Sequence, residues 1–161
     1  MLDRFTLPGP IGELTLVMQE GAIIICEFSD EPARISRQLE RYYRDLPIQD
    51  ITVPRKIRQC FEQYFKGEGS ALEQLTAAPM GTPYQQSVWR ALATIPAGSR
   101  WSYAMLAEIT GSHPRAVGSA NGRNPVALII PCHRVIGKDG SLTGYAGGLD
   151  RKQWLLRMEG A

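Results

Sequence analysis

A chain of 161 residues with 43% hydrophobic and 21% charged residues has ordinary globular composition, which excludes a disordered, collagen-like or coiled-coil protein. Its longest apolar run, Val126-Ala127-Leu128-Ile129-Ile130, is bounded by Pro125 and Pro131 and falls far short of the ~20 residues a membrane span needs. The net charge of +2 hides an asymmetry: residues 1–80 carry nine Lys/Arg against twelve Asp/Glu, and residues 81–161 carry nine against four, which makes the second half the candidate for an anionic partner.

The N-terminus, Met1-Leu2-Asp3-Arg4-Phe5, has no basic stretch leading into an apolar one, so no secretory signal is read there. Three cysteines (Cys26, Cys60 and Cys132) are too few for a disulfide framework. A reduced, cytoplasmic protein without membrane association is expected.

The first 78 residues read as a small α/β domain. Ile11, Leu14 and Leu16, then Ala22 to Phe28, form two β-rich runs joined by a turn at Met18-Gln19-Glu20-Gly21. Ile35, Leu39, Tyr42 and Tyr43 share one face of a helix opening near Asp30, and Ile57, Phe61, Tyr64 and Phe65 one face of a second, between Pro54 and Gly67. Cys26 and Cys60 have no histidine near them in sequence and read as small core hydrophobes. No metal-ligand spacing exists, and neither metal nor cofactor is expected.

Residues 79–161 carry sharper local signals. Thr82-Pro83-Tyr84-Gln85 is a capping box with proline at the first helical position, and its helix runs inward through Val88, Trp89, Leu92 and Ile95 to Pro96-Ala97-Gly98. A second helix starts at Ser102 and stops at Gly111; Ser112 opens a third, Pro114 to Asn121. The last two match a helix-turn-helix. The third helix is nearly smooth: Ala116, Gly118, Ser119 and Ala120 surround a single Arg115. A reader of base edges in the major groove needs more donors and acceptors than that. Two readings stand, close approach to a sugar–phosphate surface or minor groove, and tight packing inside a core.

The most specific stretch is Asn124-Pro125, an apolar run, then Pro131-Cys132-His133-Arg134-Val135. An imidazole and a guanidinium beside a thiol favour the thiolate, the nucleophilic form of cysteine. A Cys-His pair alone is also compatible with an inert buried thiol.

Taken with Gly144-Tyr145-Ala146-Gly147-Gly148 and Trp154-Leu155-Leu156-Arg157-Met158-Glu159-Gly160, this stretch resembles the signature of the O6-alkylguanine-DNA alkyltransferases, also called methylated-DNA–protein-cysteine methyltransferases. The likeness spans about Gly81 to Gly160 and is nearest to the small bacterial stand-alone members. It implies an α/β (α+β) protein with a small antiparallel N-terminal sheet plus helices (1–78), and a mostly helical, winged helix-turn-helix-like domain (79–161) that binds DNA and accepts the alkyl group. The implied activity is stoichiometric, single-turnover transfer of the alkyl group from O6-alkylguanine, with O4-alkylthymine a second candidate substrate, in double-stranded DNA, by a monomer without cofactor.

The resemblance also implies roles. Cys132 is the acceptor; His133, through a water, and Glu159 relay its proton; Asn124 braces the turn that holds Cys132. Tyr103 donates to the flipped base and crowds its phosphate. Arg115 enters the stack in the nucleotide's place, with Ser102, Ala116 and Gly118 against the DNA. Val135, Tyr145, Ala146, Gly147 and Asn121 line the substrate pocket. A lesion-binding regulator with a structural thiol, and a thiol hydrolase, are the competing readings.

Overall fold

A computed structural model describes residues 1–161. They divide into two compact units, Met1–Met80 with Pro125–Ile129, and Gly81–Asn124 with Ile130–Ala161. The division in the chain falls at Met80/Gly81, two residues past the expected 78/79. A five-residue excursion from the second half also belongs to the first unit. Backbone pairing explains it: Cys26 N–H donates to Pro125 O at 2.9 Å and Ala127 N–H to Cys26 O at 2.8 Å.

The first unit is built on a four-stranded sheet ordered β3-β2-β1-β4, from β1 (Leu2–Leu7), β2 (Leu14–Gln19), β3 (Ala22–Phe28) and β4 (Ile48–Asp50). The first three form an antiparallel meander in which Phe5 faces Leu16 and Leu16 faces Cys26. Glu20 (φ 51°) and Gly21 (φ 81°) make the tight turn between β2 and β3, the paired positive φ that suits a two-residue hairpin. The expected all-antiparallel sheet needs correction, because β4 runs parallel to β1. All three β4 residues are exposed. The strand is held by its ladder and by the Arg4–Asp50 ion pair at 2.7 Å, not by burial.

Two helices complete this unit, α1 (Pro32–Tyr42) and α2 (Arg55–Phe65). Ile35 of α1 joins Leu2, Val17, Ile24, Ile25 and Tyr43 in one apolar cluster. Ile57, Cys60, Phe61 and Tyr64 of α2 are buried. Cys26 and Cys60 are core thiols, as their surroundings in sequence predict.

The second unit packs α3 (Pro83–Leu92), α4 (Tyr103–Thr110) and α5 (Pro114–Gly122) against one another. The capping box forms at both ends, with Gln85 N–H donating to Thr82 Oγ1 at 3.1 Å and Thr82 N–H to Gln85 Oε1 at 3.0 Å. Its helix ends at Leu92, well before Pro96. Trp89 Nε1–H donates to Ala120 O at 2.9 Å and locks α3 to α5. A side chain on Gly81 would collide with that indole.

Gly111 closes α4 in the left-handed conformation (φ 63°), where a Cβ is disfavoured. The cap of α5 is His113 rather than Ser112: its Nδ1 accepts from Arg115 N–H at 3.1 Å. Pro114 forbids helical geometry at the residue before it, so His113 is extended and ideally placed to cap. The ladder in this unit is a short parallel pair, β5 (Trp101–Ser102) with β6 (Val135–Ile136), and the chain ends through α6 (Leu149–Met158). No helix is long and apolar enough to cross a membrane.

Candidate active site

Cys132 opens a single 3-10 turn, Cys132–Arg134, that feeds β6, and α6 packs on that turn. The turn is fixed from behind by Asn124, whose Nδ2 donates to Ile130 O at 2.8 Å. The amide thereby closes the neck of the Pro125–Ile129 excursion. Inside the excursion Leu128 takes φ 69°, a left-handed conformation costing a non-glycine residue about 1 kcal/mol. Asn121 adds a second amide, its Nδ2 donating to Cys132 O at 3.3 Å.

All three side chains of the turn point inward. Cys132 is 6% exposed and His133 0%. His133 Nε2 lies 3.0 Å from Glu159 Oε2. The Glu159 side chain is fully buried at the end of α6, gripped by Arg134 through Nε–Oε1 at 3.0 Å and Nη2–Oε2 at 2.6 Å. Arg134 spends its remaining arm on Ile95 O at 2.6 Å. Such a forked pair makes a carboxylate a strong and directional acceptor.

The electrostatics of this cluster are specific. Burial pushes the His133 imidazole below its ordinary pKa, so the ring is neutral near neutral pH, although Glu159 opposes the shift. A carboxylate can only accept, so Nε2 carries the proton and Nδ1 is left with a lone pair. Nδ1 is buried and has no hydrogen-bond partner in the protein. A neutral imidazole oriented by a carboxylate, with a bare nitrogen, has the chemistry to accept a proton.

Tyr103 begins α4, which is capped by Ser102 Oγ accepting from Met105 N–H at 3.1 Å. The Ser102 side chain is therefore committed to the helix. The Tyr103 hydroxyl makes a long, 3.4 Å donation to Thr143 O, and burial raises its pKa. Gly118 on α5 faces its ring, and a Cβ there would make ordinary contact at 3.8 Å. Tyr145 stands edge-on to His133, with ring centroids 6.4 Å apart. Val135 is buried in β6, whereas Ala146 and Gly147 are half-buried in the loop before α6. Arg115 is exposed at the start of α5; Ala116 is half-buried, and Val117, Ala120 and Asn121 face inward. The smooth helix is thus part core and part surface.

Two residues of the cluster carry roles that the sequence leaves unassigned. Arg134 reads from sequence as a general electrostatic neighbour and is in fact the clamp on Glu159. Lys152 is completely buried, and its Nζ donates to Thr143 O at 2.7 Å. Burial brings its ammonium down to about 8. The signal for it is present, since Lys152 stands three and four residues before Leu155 and Leu156 and shares their inward face.

Comparison with known proteins places the chain among relatives. Residues 83–161 match the family described as 6-O-methylguanine DNA methyltransferase, DNA binding domain. A methylated-DNA–protein-cysteine methyltransferase of Shigella flexneri is 42% identical over 94% of this chain and 91% of its own length. One from Mycolicibacterium paratuberculosis is 41% identical, covering 99% and 93%. Among solved structures, Mycobacterium tuberculosis OGT in complex with DNA superposes with a TM-score of 0.79 at 36% identity, covering 98% of this chain and 92% of that one. With relatives this similar over almost its whole length, the chain belongs to the methylated-DNA–protein-cysteine methyltransferase family.

Proposed function

We propose that this protein repairs DNA by taking the alkyl group of O6-alkylguanine onto Cys132, once per molecule. The observation that carries this reading is the buried chain of Arg134, Glu159 and His133 next to a buried cysteine. His133 Nδ1 receives the thiol proton through an intervening water, and Glu159 stabilises the imidazolium that results. The thiolate sulfur then attacks the alkyl carbon. An S–C bond forms as the C–O6 bond breaks, and the electron pair passes to the guanine, which regains a proton. Tyr103 donates toward N3 of the base, so that guanine leaves closer to neutral.

The second unit is the DNA-binding and alkyl-acceptor domain, with α4 and α5 as its helix-turn-helix. Arg134 and Lys152 are buried against Glu159 and the loop, leaving seven cations and three carboxylates of residues 81–161 outside. Those cations meet phosphates. Small residues on α5 allow close approach to a minor groove while exposed Arg115 replaces the extruded nucleotide, extrusion costing a few kcal/mol and least for a damaged base. Val135, Tyr145, Ala146, Gly147 and Asn121 enclose the flipped base. O4-alkylthymine is the second candidate substrate. The protein acts as a cytoplasmic monomer.

The test is peptide mass spectrometry after incubation with duplex DNA containing O6-methylguanine. A gain of one methyl group on the Cys132 peptide, absent from Cys132→Ser, is expected. Binding of lesion DNA with no change of mass refutes this reading in favour of a lesion-binding regulator. Multiple turnovers of a small ester favour a thiol hydrolase instead.

A further inference from the structure

Lys152 and Tyr103 converge on one backbone atom. Lys152 Nζ donates to Thr143 O at 2.7 Å, and the Tyr103 hydroxyl donates to the same oxygen at 3.4 Å. A carbonyl oxygen has two lone pairs and can hold both donors. The distances rank them: the ammonium makes a short, charge-assisted bond and the phenol a stretched one. Thr143 begins the loop segment that carries Tyr145 and Ala146, and at its other end Arg151 Nη1 donates to Gly147 O at 3.2 Å. Two successive cations of α6 therefore grip the two ends of this segment.

A loop tie alone does not account for Lys152. Its side chain is completely buried and its hydrogen bond goes to a neutral carbonyl. Burying an ammonium in that way is expensive, and a neutral donor would tie the loop at lower cost. The group that gains is the phenol. Burial raises the Tyr103 pKa and keeps the hydroxyl protonated, but a hydroxyl has a single proton to give, and here it is spent on Thr143 O. Donation to a base requires withdrawing that proton from the carbonyl. A carbonyl left without a donor would oppose the withdrawal. Lys152 removes the opposition, because Thr143 O keeps the shorter of its two bonds.

On the reading that Tyr103 donates to N3 of the flipped base, we propose that Lys152 is a positioning residue that frees the Tyr103 hydroxyl for that task. The phenol rests on Thr143 O in the free protein and passes to the base on binding, while the ammonium keeps the carbonyl occupied. The base thus meets a donor that is already ordered and costs little to release. No covalent bond changes in this step; one hydrogen bond is exchanged for another.

A double-mutant cycle on the full-length protein tests this. Methyl uptake by Cys132 from free O6-methylguanine is timed by peptide mass spectrometry in wild type, Lys152→Met, Tyr103→Phe and the double variant. Without the ammonium the phenol is the sole donor to Thr143 O and is held there, so Lys152→Met should be about ten-fold slower than wild type. In the Tyr103→Phe background there is no hydroxyl to release, and the same substitution should change the rate by less than about two-fold. Equal slowing in both backgrounds means that Lys152 only ties the loop and overturns the proposal, as does an unslowed Lys152→Met. A second measurement leaves Lys152 in place: the Thr143 carbonyl 13C resonance is followed in Cys132→Ser as free O6-methylguanine is added. It should move as the hydroxyl leaves, and stay put in Cys132→Ser/Tyr103→Phe. No movement in the first, or equal movement in both, overturns the proposal even if Lys152→Met fails to fold. Methyl uptake by wild type with equal slowing in the cycle refutes this role of Lys152 alone. Absence of uptake by wild type refutes the alkyl-transfer reading, and the carbonyl titration remains readable.

Discussion

Glu159→Gln is the most informative single change. The substitution keeps the shape of the side chain and removes one charge, and no orientation of the amide satisfies its surroundings. With the amide oxygen in the Oε2 position, His133 and Arg134 Nη2 keep their acceptor, but the NH2 group confronts Arg134 Nε–H. With the oxygen in the Oε1 position, the NH2 confronts Nη2 and forces His133 Nε2 to accept. That flips the imidazole tautomer and puts the proton on Nδ1, the nitrogen that must be bare. Losing one partner of a buried ion pair costs about 3–5 kcal/mol, which in a domain of this size lowers Tm by roughly 6–20 °C. Removing general-base assistance slows transfer by about 10²–10⁴.

The assay is single-turnover methyl transfer from O6-methylguanine DNA, measured at low temperature where circular dichroism shows the variant folded. Stability and chemistry then separate in the double variant Arg134→Met/Glu159→Gln. Removing the stranded guanidinium should recover much of the melting temperature but none of the rate. A folded Glu159→Gln protein that transfers methyl within two-fold of the wild-type rate refutes the assignment of Glu159 as the group that sets the His133 tautomer.

Three further changes probe other parts of the molecule. Asn124→Ala removes one of two donors to Ile130 O, which still accepts from Cys132 N–H at 2.8 Å; urea unfolding should show a loss of about 0.5–1.5 kcal/mol, and no loss would mean the excursion closes without it. Glu27 is buried beside Arg34 at 3.2 Å, and burial lifts its carboxyl to about 7. The folded state binds that proton more tightly than the unfolded chain, so this contribution is complete below about pH 4.5 and disappears as pH rises through about 7. Glu27→Gln should abolish a decline of about 1–3 kcal/mol between pH 5 and pH 8; an unchanged decline would assign it to another group. Arg115→Ala should lower the salt-dependence slope of duplex binding by about one and slow repair of duplex more than of the free base. Equal slowing would show that Arg115 does not act by intercalation.

Sequence reasoning was strongest where a feature is local. The Thr82–Gln85 capping box, the Gly111 stop and the amphipathic face of α2 each depend on a few adjacent residues, and each is present. β1 escaped because Leu2, Phe5 and Leu7 break strict alternation. β4 escaped because its three exposed residues have no apolar pattern at all. Its pairing is made by backbone groups, which composition does not encode. The inward burial of Glu159 was hidden for a related reason: an acid at the end of a helix reads as solvated until the arginine that neutralises it, 25 positions away, is seen beside it. Cys132, His133 and Asn124 were legible through family resemblance, and their distances were not.

The Pro125–Ile129 excursion also affects how the protein becomes active. Its bridge between Cys26 and Val126 joins residues 100 positions apart, a closure costing on the order of 4 kcal/mol in chain entropy before any contact repays it. Contacts of such long sequence separation slow folding, because the loop-closure entropy precedes the contacts that repay it. Cys132 follows this segment directly, and Asn124 can grip Ile130 only when the segment is looped back. The position of the nucleophile along the chain is therefore tied, three residues past the excursion, to a backbone contact made with Cys26.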